Sequence, residues 1–289
     1  MAQRFLQREK TFEEIGVFVR ATALRRLAIR SGDVDGLALK LVLTPALIGA
    51  VSMAGRRWGP GVSGWLVGFP LTSGPVAFFL ALDQGVTFAA GAATGSMTGA
   101  VAQAGFCLLY GRLTDRHHWG LALAAGCLAF AAATVVLQLV TLALVPLLLL
   151  VMGGLAASIA FMPRASRGSR AAPLPRWDIP ARLVVTTGVV LLLTGLAPAL
   201  GPRLTGLLAT FPLYGAILAG FAHHLQGPGP ATRVLRGLLL GLFAFAGFFF
   251  VLALLIERAG IAQAFAAAIA AALVLQAGAL WVMRRDSRA

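Results

Sequence analysis

Apolar runs of about 20 residues recur along this chain from residue 38 almost to its last residues. As an α-helix, such a run crosses the hydrocarbon core of a bilayer, where every backbone polar group has to be paired within the protein. Only 12% of the residues are charged, compared with about 25% in soluble domains. The sequence therefore predicts an all-α polytopic membrane protein that folds as one helical bundle.

We predict nine transmembrane helices. The fourth and fifth are the hardest to separate, because residues 119–162 form one unbroken apolar stretch. At about 1.5 Å per residue this stretch is too long for one span, so we expect two spans with a turn near Leu139–Leu142. The predicted spans are 38–55, 62–82, 87–110, 119–138, 141–162, 183–200, 204–222, 237–256 and 261–283.

The chain contains two copies of one sequence. Residues 41–106 align without a gap with residues 183–248, at an offset of 142 positions, and 21 of the 66 aligned positions are identical. Phe69-Pro70-Leu71 returns as Phe211-Pro212-Leu213, in the middle of an apolar run both times. Duplicated, interrupted membrane helices are typical of the binding sites of secondary transporters.

The duplication divides the chain into four parts. Residues 1–36 are a basic N-terminal tail, amphipathic or disordered, and residues 37–140 are the first membrane repeat, with four spans. Residues 141–182 supply a linking span and a loop rich in proline and arginine, and residues 183–289 are the second repeat, with four spans. Because five spans separate equivalent positions, we expect the second copy to enter the membrane from the opposite side, as an inverted repeat.

Basic residues are distributed unequally between the two sets of loops. The loops that share one side in the nine-span topology carry 14 arginines together with the C-terminal segment, whereas the opposite loops carry Arg203 and Arg258. The positive-inside rule places the first set and the C-terminus in the cytoplasm. The tail and the adjoining Lys40, with eight basic residues in total, would then lie outside. Either the tail is not genuine, or it crosses against the rule, or the span count is even and the repeats are parallel.

Several classes of function are disfavoured. The net charge of +14 comes mainly from arginines between the apolar runs, which orient helices, so we do not expect nucleic-acid binding. The two cysteines, Cys107 and Cys127, lie inside apolar runs, and we expect no disulfide, metal site or cofactor. No nucleophile–base pair lies at mid-depth, which argues against an enzyme. The excess of arginine over lysine, with much Ala, Gly and Leu, favours a bacterial inner membrane protein.

The first Phe-Pro-Leu motif predicts a broken helix. Pro70 and Pro75 cannot donate to the carbonyls four residues earlier, so we expect a half-helix, Pro75–Leu82, that begins at mid-membrane with Gly74 or Ser73 as its cap. The amino end of such a helix has unpaired N–H groups and a partial positive charge, which suit an anionic or strongly polar group. The predicted binding residues are Phe69, Pro70, Thr72, Ser73, Gly74 and Pro75.

The second motif contains one proline, so we expect its helix to be kinked rather than fully broken. The Tyr214 hydroxyl would donate to the same ligand. The predicted binding residues here are Phe211, Pro212, Tyr214 and Gly215. The alternative is that the prolines only bend both helices, with neighbouring helices satisfying the backbone.

Polar residues at span ends and within spans are candidates for a gate or a path. These are Asp83, Gln84, Gln103, His223 and Gln226, of which Gln103 either lines a path or links helices. The third span has small residues at Gly91, Gly95 and Gly99, and two of these glycines recur as Gly237 and Gly241. We expect both sets to pack closely against the broken helices.

These patterns predict a secondary transporter or exporter that moves a small polar or anionic solute by alternating access. The partners that we expect are the lipid bilayer and the solute, and a homodimer is one assembly that the sequence allows. Two alternatives remain open: a channel whose pore is lined by the same broken helices, and a membrane scaffold or partner subunit that transports nothing.

Overall fold

Helices account for every regular element in the described part of the chain. The computed structural model describes residues 45–140, 142–163, 175–192 and 210–288, apart from the side chains of 282 and 284–288. The predicted N-terminal tail, most of the proline- and arginine-rich loop, the beginnings of the first and seventh predicted spans and the end of the sixth lie outside these residues. Residues 47–289 form one compact unit.

Ten helices are named in chain order. They are α1 (residues 45–58), α2 (Pro60–Val67), α3 (Ser73–Gln84), α4 (Val86–Leu113), α5 (Trp119–Gln138), α6 (Leu144–Phe161), α7 (residues 178–192), α8 (Leu213–Gln226), α9 (Pro228–Ala259) and α10 (Ile261–Arg288). Within the described ranges, four helices are long and apolar enough to cross a membrane: α5, α6, α9 and the Ile261–Trp281 part of α10.

The predicted division of residues 119–162 is confirmed, because α5 and α6 are separate spans with a turn between them. The second predicted span consists of two short helices, α2 and α3, and α4 is long but rich in glycine, alanine and hydroxyl residues. The helix predicted from residue 183 begins earlier, at 178, where Asp178 pairs with Arg182 one turn later. The total of nine spans stays a prediction.

The apolar side chains of the outer helices face away from the protein. Leu128 of α5 is 70% exposed and Leu149 of α6 is 67% exposed, and many other large apolar residues on these helices are also exposed. Contiguous apolar surface of this kind is found on proteins that contact lipid or another apolar partner. Together with the four candidate spans, it identifies a multi-pass membrane protein in contact with a bilayer.

The two copies repeat each other in three dimensions. Gly85 and Gly227, which are 142 positions apart, both have a positive φ, of 87° and 89°, and each joins a shorter helix to a long one. Helices α4 and α9 begin 142 positions apart, and so do α5 and α10. The repetition therefore extends beyond the 66 residues that align by sequence.

The long helix α9 lies at the centre and packs against α2, α4, α6, α8 and α10. Its glycines make the predicted close contacts with α2: a Cβ built on Gly241 would lie 2.7 Å from the Cα of Gly68. In the same way, a Cβ built on Gly99 of α4 would lie 3.0 Å from the Cβ of Thr210, which is equivalent to Gly68. The glycine-rich helix of each copy thus packs on the interrupted segment of the other copy.

Equivalent helices α4 and α9 run antiparallel. Thr114, just after the last residue of α4, contacts Thr232 in the first turn of α9, with 3.2 Å between the hydroxyl oxygens. At the same end, Arg112 and Arg236 donate to carbonyls at the carboxyl end of α6. We call this the basic end of the molecule. Gly85 and Gly227 consequently lie at opposite ends.

Candidate functional site

The first Phe-Pro-Leu motif breaks the helix, as predicted. Helix α2 ends at Val67 and α3 begins at Ser73, and between them the N–H of Leu71 turns back to the carbonyl of Phe69 at 2.7 Å. The half-helix starts two residues earlier than expected, with Thr72 as its N-cap and Pro75 in third place. Proline fits there because the first-turn N–H groups of a helix have no intrahelical partner.

The second motif has the same local geometry. The N–H of Leu213 donates to the carbonyl of Phe211 at 2.8 Å, across an inverse γ-turn centred on Pro212, whose φ and ψ are −76° and 58°. Residues 210–212 are not helical, and α8 begins at Leu213. The γ-turn takes the Phe211 carbonyl out of the helical pattern, so the helix of this copy begins directly after the proline. The expected kink concerns residues before 210, which lie outside the described ranges. We call the γ-turn segment of each copy its break.

Each break is completed by a glutamine from the other copy. At the first break, the N–H of Phe69 donates to the carbonyl of Leu66 rather than to that of Trp65, its usual helical acceptor four residues earlier. The carbonyl of Trp65 accepts a hydrogen bond from Nε2 of Gln276 on α10 at 2.9 Å. At the second break, Nε2 of Gln103 on α4 donates to the carbonyl of Thr210 at 3.2 Å. Gln103 thus links helices, which is one of its two predicted roles.

Gln276 was missed from the sequence, although one signal for it was present. It is an amide within an otherwise apolar predicted span, and such residues commonly hydrogen-bond across membrane helices. The indole Nε1 of Trp65 also donates to the backbone carbonyl of Gln276 at 3.3 Å, so the two residues are joined by a pair of hydrogen bonds. The side-chain oxygen Oε1 of Gln276 is buried and has no partner.

The two breaks flank one residue, Leu238 of α9. A Cβ built on Gly68 would lie 2.7 Å from the Leu238 carbonyl oxygen, and one built on Gly215 would lie 2.5 Å from the Leu238 Cδ2 atom. Gly99 and Gly241, which pack on the breaks, each lie 13 residues after the start of their helix (99 − 86 and 241 − 228). Both breaks are therefore beside the middle of α4 and α9.

The predicted binding residues differ in accessibility. Phe69, Thr72, Ser73 and Tyr214 are half-buried, whereas Pro75 is exposed. Phe211 packs edge-to-face against Phe106 and Phe130, with centroids 5.8 and 5.3 Å apart, so it belongs to the core. The remaining predicted residues, Pro70, Gly74, Pro212 and Gly215, are buried. Accessible surface therefore remains on the rings of Phe69 and Tyr214 and on the side chains of Thr72 and Ser73.

Four of the five gate or path candidates lie at the two ends of the molecule, whereas Gln103 lies beside the second break. Asp83 and Gln84 are exposed at the end of α3, while His223 and Gln226 lie at the basic end, near the end of α8. About ten residues, or roughly 15 Å of helix, separate each set from the break in its own copy. They are therefore remote from the breaks.

At the basic end, Tyr110 and His223 connect α4 to α8. The buried Tyr110 hydroxyl lies 3.4 Å from Nδ1 of His223. Burial lowers the pKa of His223 below its ordinary value, and a bond with the Thr114 backbone opposes this shift. The positions equivalent to this pair, 142 residues away, are Leu252 and Ala81. Both equivalent positions carry apolar side chains, so this polar contact has no equivalent in the other copy.

The chemistry available at the breaks is hydrogen bonding and the partial positive charge of a helix end. Over the described ranges, no group of three or more His, Cys, Asp or Glu side chains is arranged to hold a metal ion. In comparisons with known proteins, no family model, no curated protein and no solved structure matches this chain.

Proposed function

We propose that this protein is a secondary transporter or exporter of a small polar or anionic solute, with its solute site at the two Phe-Pro-Leu breaks. The observation that carries the proposal is the position of the breaks: both lie beside the middle of a long helix, and both flank Leu238. Interrupted backbone at that depth is tolerated where it faces protein or a water-filled cavity, and transporters bind solutes at such places.

The proposal includes inverted repeats. In support, the equivalent helices α4 and α9 run antiparallel, and the equivalent turns at Gly85 and Gly227 lie at opposite ends. A two-fold axis in the membrane plane relates copies in this manner, whereas parallel repeats would keep equivalent helices parallel. We place the basic end in the cytoplasm of a bacterial inner membrane, because the arginine-rich loops gather there.

Alternating access follows from the way in which the copies interlock. Each break is packed on a glycine-rich helix of the other copy and is capped by a glutamine of the other copy. A rocking motion of one copy against the other therefore changes the surroundings of both breaks at once. Such coupling is what opens a midplane site to one side while closing it to the other.

The test is transport into proteoliposomes that contain the purified full-length chain. We expect saturable uptake with counterflow, and loss of both in the Thr72→Val, Ser73→Ala double variant. The control, Ser158→Ala, removes a hydroxyl at the carboxyl end of α6, at the basic end of the molecule, and is expected to transport normally. Non-saturating flux without counterflow would favour the channel instead, and normal uptake by the double variant would refute the site.

A further inference from the structure

Two arginine–tryptophan pairs are exposed at the basic end of the molecule. They are Arg57-Trp58, the last two residues of α1, and Arg176-Trp177, immediately before α7. Trp58 is 68% exposed, Trp177 is 54% exposed, and both arginines are exposed as well. Among the described residues, none of these four side chains has a hydrogen bond, an ion pair or a ring contact. Helix α2, which follows the first pair, begins beside the Arg233 carbonyl near the start of α9, and this places the surface at the basic end.

The two pairs lie next to each other because one side chain joins their segments. Nη2 of Arg56 donates to the carbonyl of Pro175 at 3.0 Å and lies 3.4 Å from Oδ2 of Asp178. Arg57 follows Arg56 in the chain, and Arg176-Trp177 lies between Pro175 and Asp178. Both pairs are therefore within two residues of the same contact.

The positive charge of this surface is not compensated by the neighbouring carboxylate. Both oxygens of Asp178 are already engaged, since Oδ1 accepts from Arg182 at 2.7 Å and Oδ2 pairs with Arg56. The Asp178 side chain is also only 1% exposed. The guanidinium groups of Arg57 and Arg176 consequently remain for an anionic partner, and guanidinium forms strong, often bidentate hydrogen bonds with phosphate.

An exposed apolar face leads away from each pair. Met53, four residues before Arg57 on α1, is 60% exposed, and Val184, seven residues after Trp177, is 73% exposed. Residues at these spacings lie on one side of a helix, so each pair stands at the end of an apolar surface. In a membrane protein, such an end marks the boundary between hydrocarbon and headgroups, where tryptophan is enriched and arginine meets anionic lipid.

We propose that the two arginine–tryptophan pairs form a binding surface for the headgroups of anionic phospholipids. The guanidinium groups bind lipid phosphate, the indoles lie in the headgroup layer, and the acyl chains cover the adjoining apolar faces. A soluble anion would leave those faces without a partner. The inference goes beyond the proposed function, because it concerns the lipid around the protein and holds whether or not a solute is transported.

The test measures the lipids that the purified full-length protein retains in native mass spectrometry. The protein is released from detergent micelles with equal amounts of dioleoyl-phosphatidylglycerol and dioleoyl-phosphatidylcholine, which share their acyl chains and differ in headgroup charge. We expect the wild type to retain phosphatidylglycerol in preference. Arg57→Gln and Arg176→Gln are each expected to lower the ratio of the two retained lipids by about fivefold, which is the contribution of one basic residue near an anionic surface.

Three further variants separate the roles of the groups. Arg258→Gln removes the same charge at the opposite end of α9, beside Glu257 and without an adjacent tryptophan, and is expected to leave the ratio unchanged. Arg57→Lys keeps the charge and is expected to retain most of the preference. Trp58→Ala with Trp177→Ala is expected to weaken retention of both lipids with little change in their ratio, because an indole lies in the headgroup layer whatever the headgroup charge.

Several results would overturn the inference. They are equal retention of the two lipids by the wild type, an unchanged ratio in both glutamine variants of the surface, and an equal fall in Arg258→Gln, which would assign the preference to net charge. Displacement of the lipid by inorganic phosphate would identify a site for free anions instead. A dimer that the glutamine variants lose would show that a second copy of the chain occupies the surface. Uptake into proteoliposomes is a separate measurement, so a failure here leaves the proposed function standing.

Discussion

Gly68 and Gly241 meet backbone to backbone, and a Cβ built on Gly241 would lie 2.7 Å from the Cα of Gly68. The contact joins the end of α2 in the first copy to the middle of α9 in the second. Helices in a membrane gain stability mainly from close packing, since lipid tails are as apolar as the side chains. Because neither glycine has a side chain, α9 packs directly on the backbone of the first break and holds it in place.

A methyl group at this contact should be strongly destabilising. In Gly241→Ala the new Cβ would also lie 2.5 Å from the Trp65 carbonyl oxygen, so the helices have to separate. We expect a loss of about 1–3 kcal/mol or more and a lower melting temperature in detergent. The control is Gly278→Ala on α10, which has nothing within 4 Å of the added Cβ and should be neutral or slightly stabilising. Equal melting temperatures for Gly241→Ala and wild type would contradict the close contact.

Asp178 should be essential for stability at the start of α7. It is 1% exposed and pairs with Arg182 at 2.7 Å, and the Arg182 side chain is itself only 8% exposed. Asp178→Asn leaves that guanidinium buried without its counter-ion, and we expect a loss of about 3–5 kcal/mol in denaturant unfolding. Arg56→Gln removes a partner that is 34% exposed and should cost less than about 1 kcal/mol. If the two losses are similar, the pair does not have the buried geometry described.

Stability should fall in mild acid because of His223. Since burial lowers its pKa below 6.5, the folded protein holds His223 neutral, whereas the unfolded chain takes up a proton as the pH drops. The contribution is complete above about pH 6.5 and is lost as the pH falls through the folded-state pKa. We expect the melting temperature to decrease between about pH 7 and pH 5. His223→Gln should flatten that decrease, and His224→Gln, at an exposed neighbouring position, should not. If the melting temperature of His223→Gln falls as much as that of the wild type, a group other than His223 causes the decrease.

Equivalent ends of the two copies should be labelled from opposite sides of the membrane. Gln84→Cys and His224→Cys each place a thiol at an exposed position near the end of α3 or α8. In a background without Cys107 and Cys127, a membrane-impermeant maleimide applied to right-side-out vesicles should label position 84 and spare position 224. Inside-out vesicles should reverse the pattern. Labelling of both positions from one side would rule out inverted repeats.

Periodicity and proline chemistry were sufficient to predict the helices, the turn between α5 and α6 and the first break. These features depend on local rules: a 20-residue apolar run has to be helical in lipid, and proline lacks the N–H that continues a helix. The glycine contacts were predictable as a pattern, because small residues at helical spacing permit close approach. The pattern does not identify the helix that each glycine approaches, because that depends on how the two copies pack against each other.

The candidate site was predicted less completely, for a physical reason. The partners of the break carbonyls, Gln103 and Gln276, are not equivalent positions, since the offset of 142 would pair them with Phe245 and Thr134. A repeated sequence therefore does not identify them. Phe211, a predicted binding residue, packs against Phe106 and Phe130, and neither of these contacts is local in the sequence.

The bond between Gln276 and Trp65 spans 211 residues, and this separation constrains the order in which the protein matures. The chain is synthesised from its amino end, so the first break is made long before its amide partner exists. Until α10 has been made, the Trp65 carbonyl lacks this donor and has to be satisfied by another, such as water. Neither half of the gene therefore encodes a self-sufficient unit, and translation has to reach the last helix before the first copy can settle.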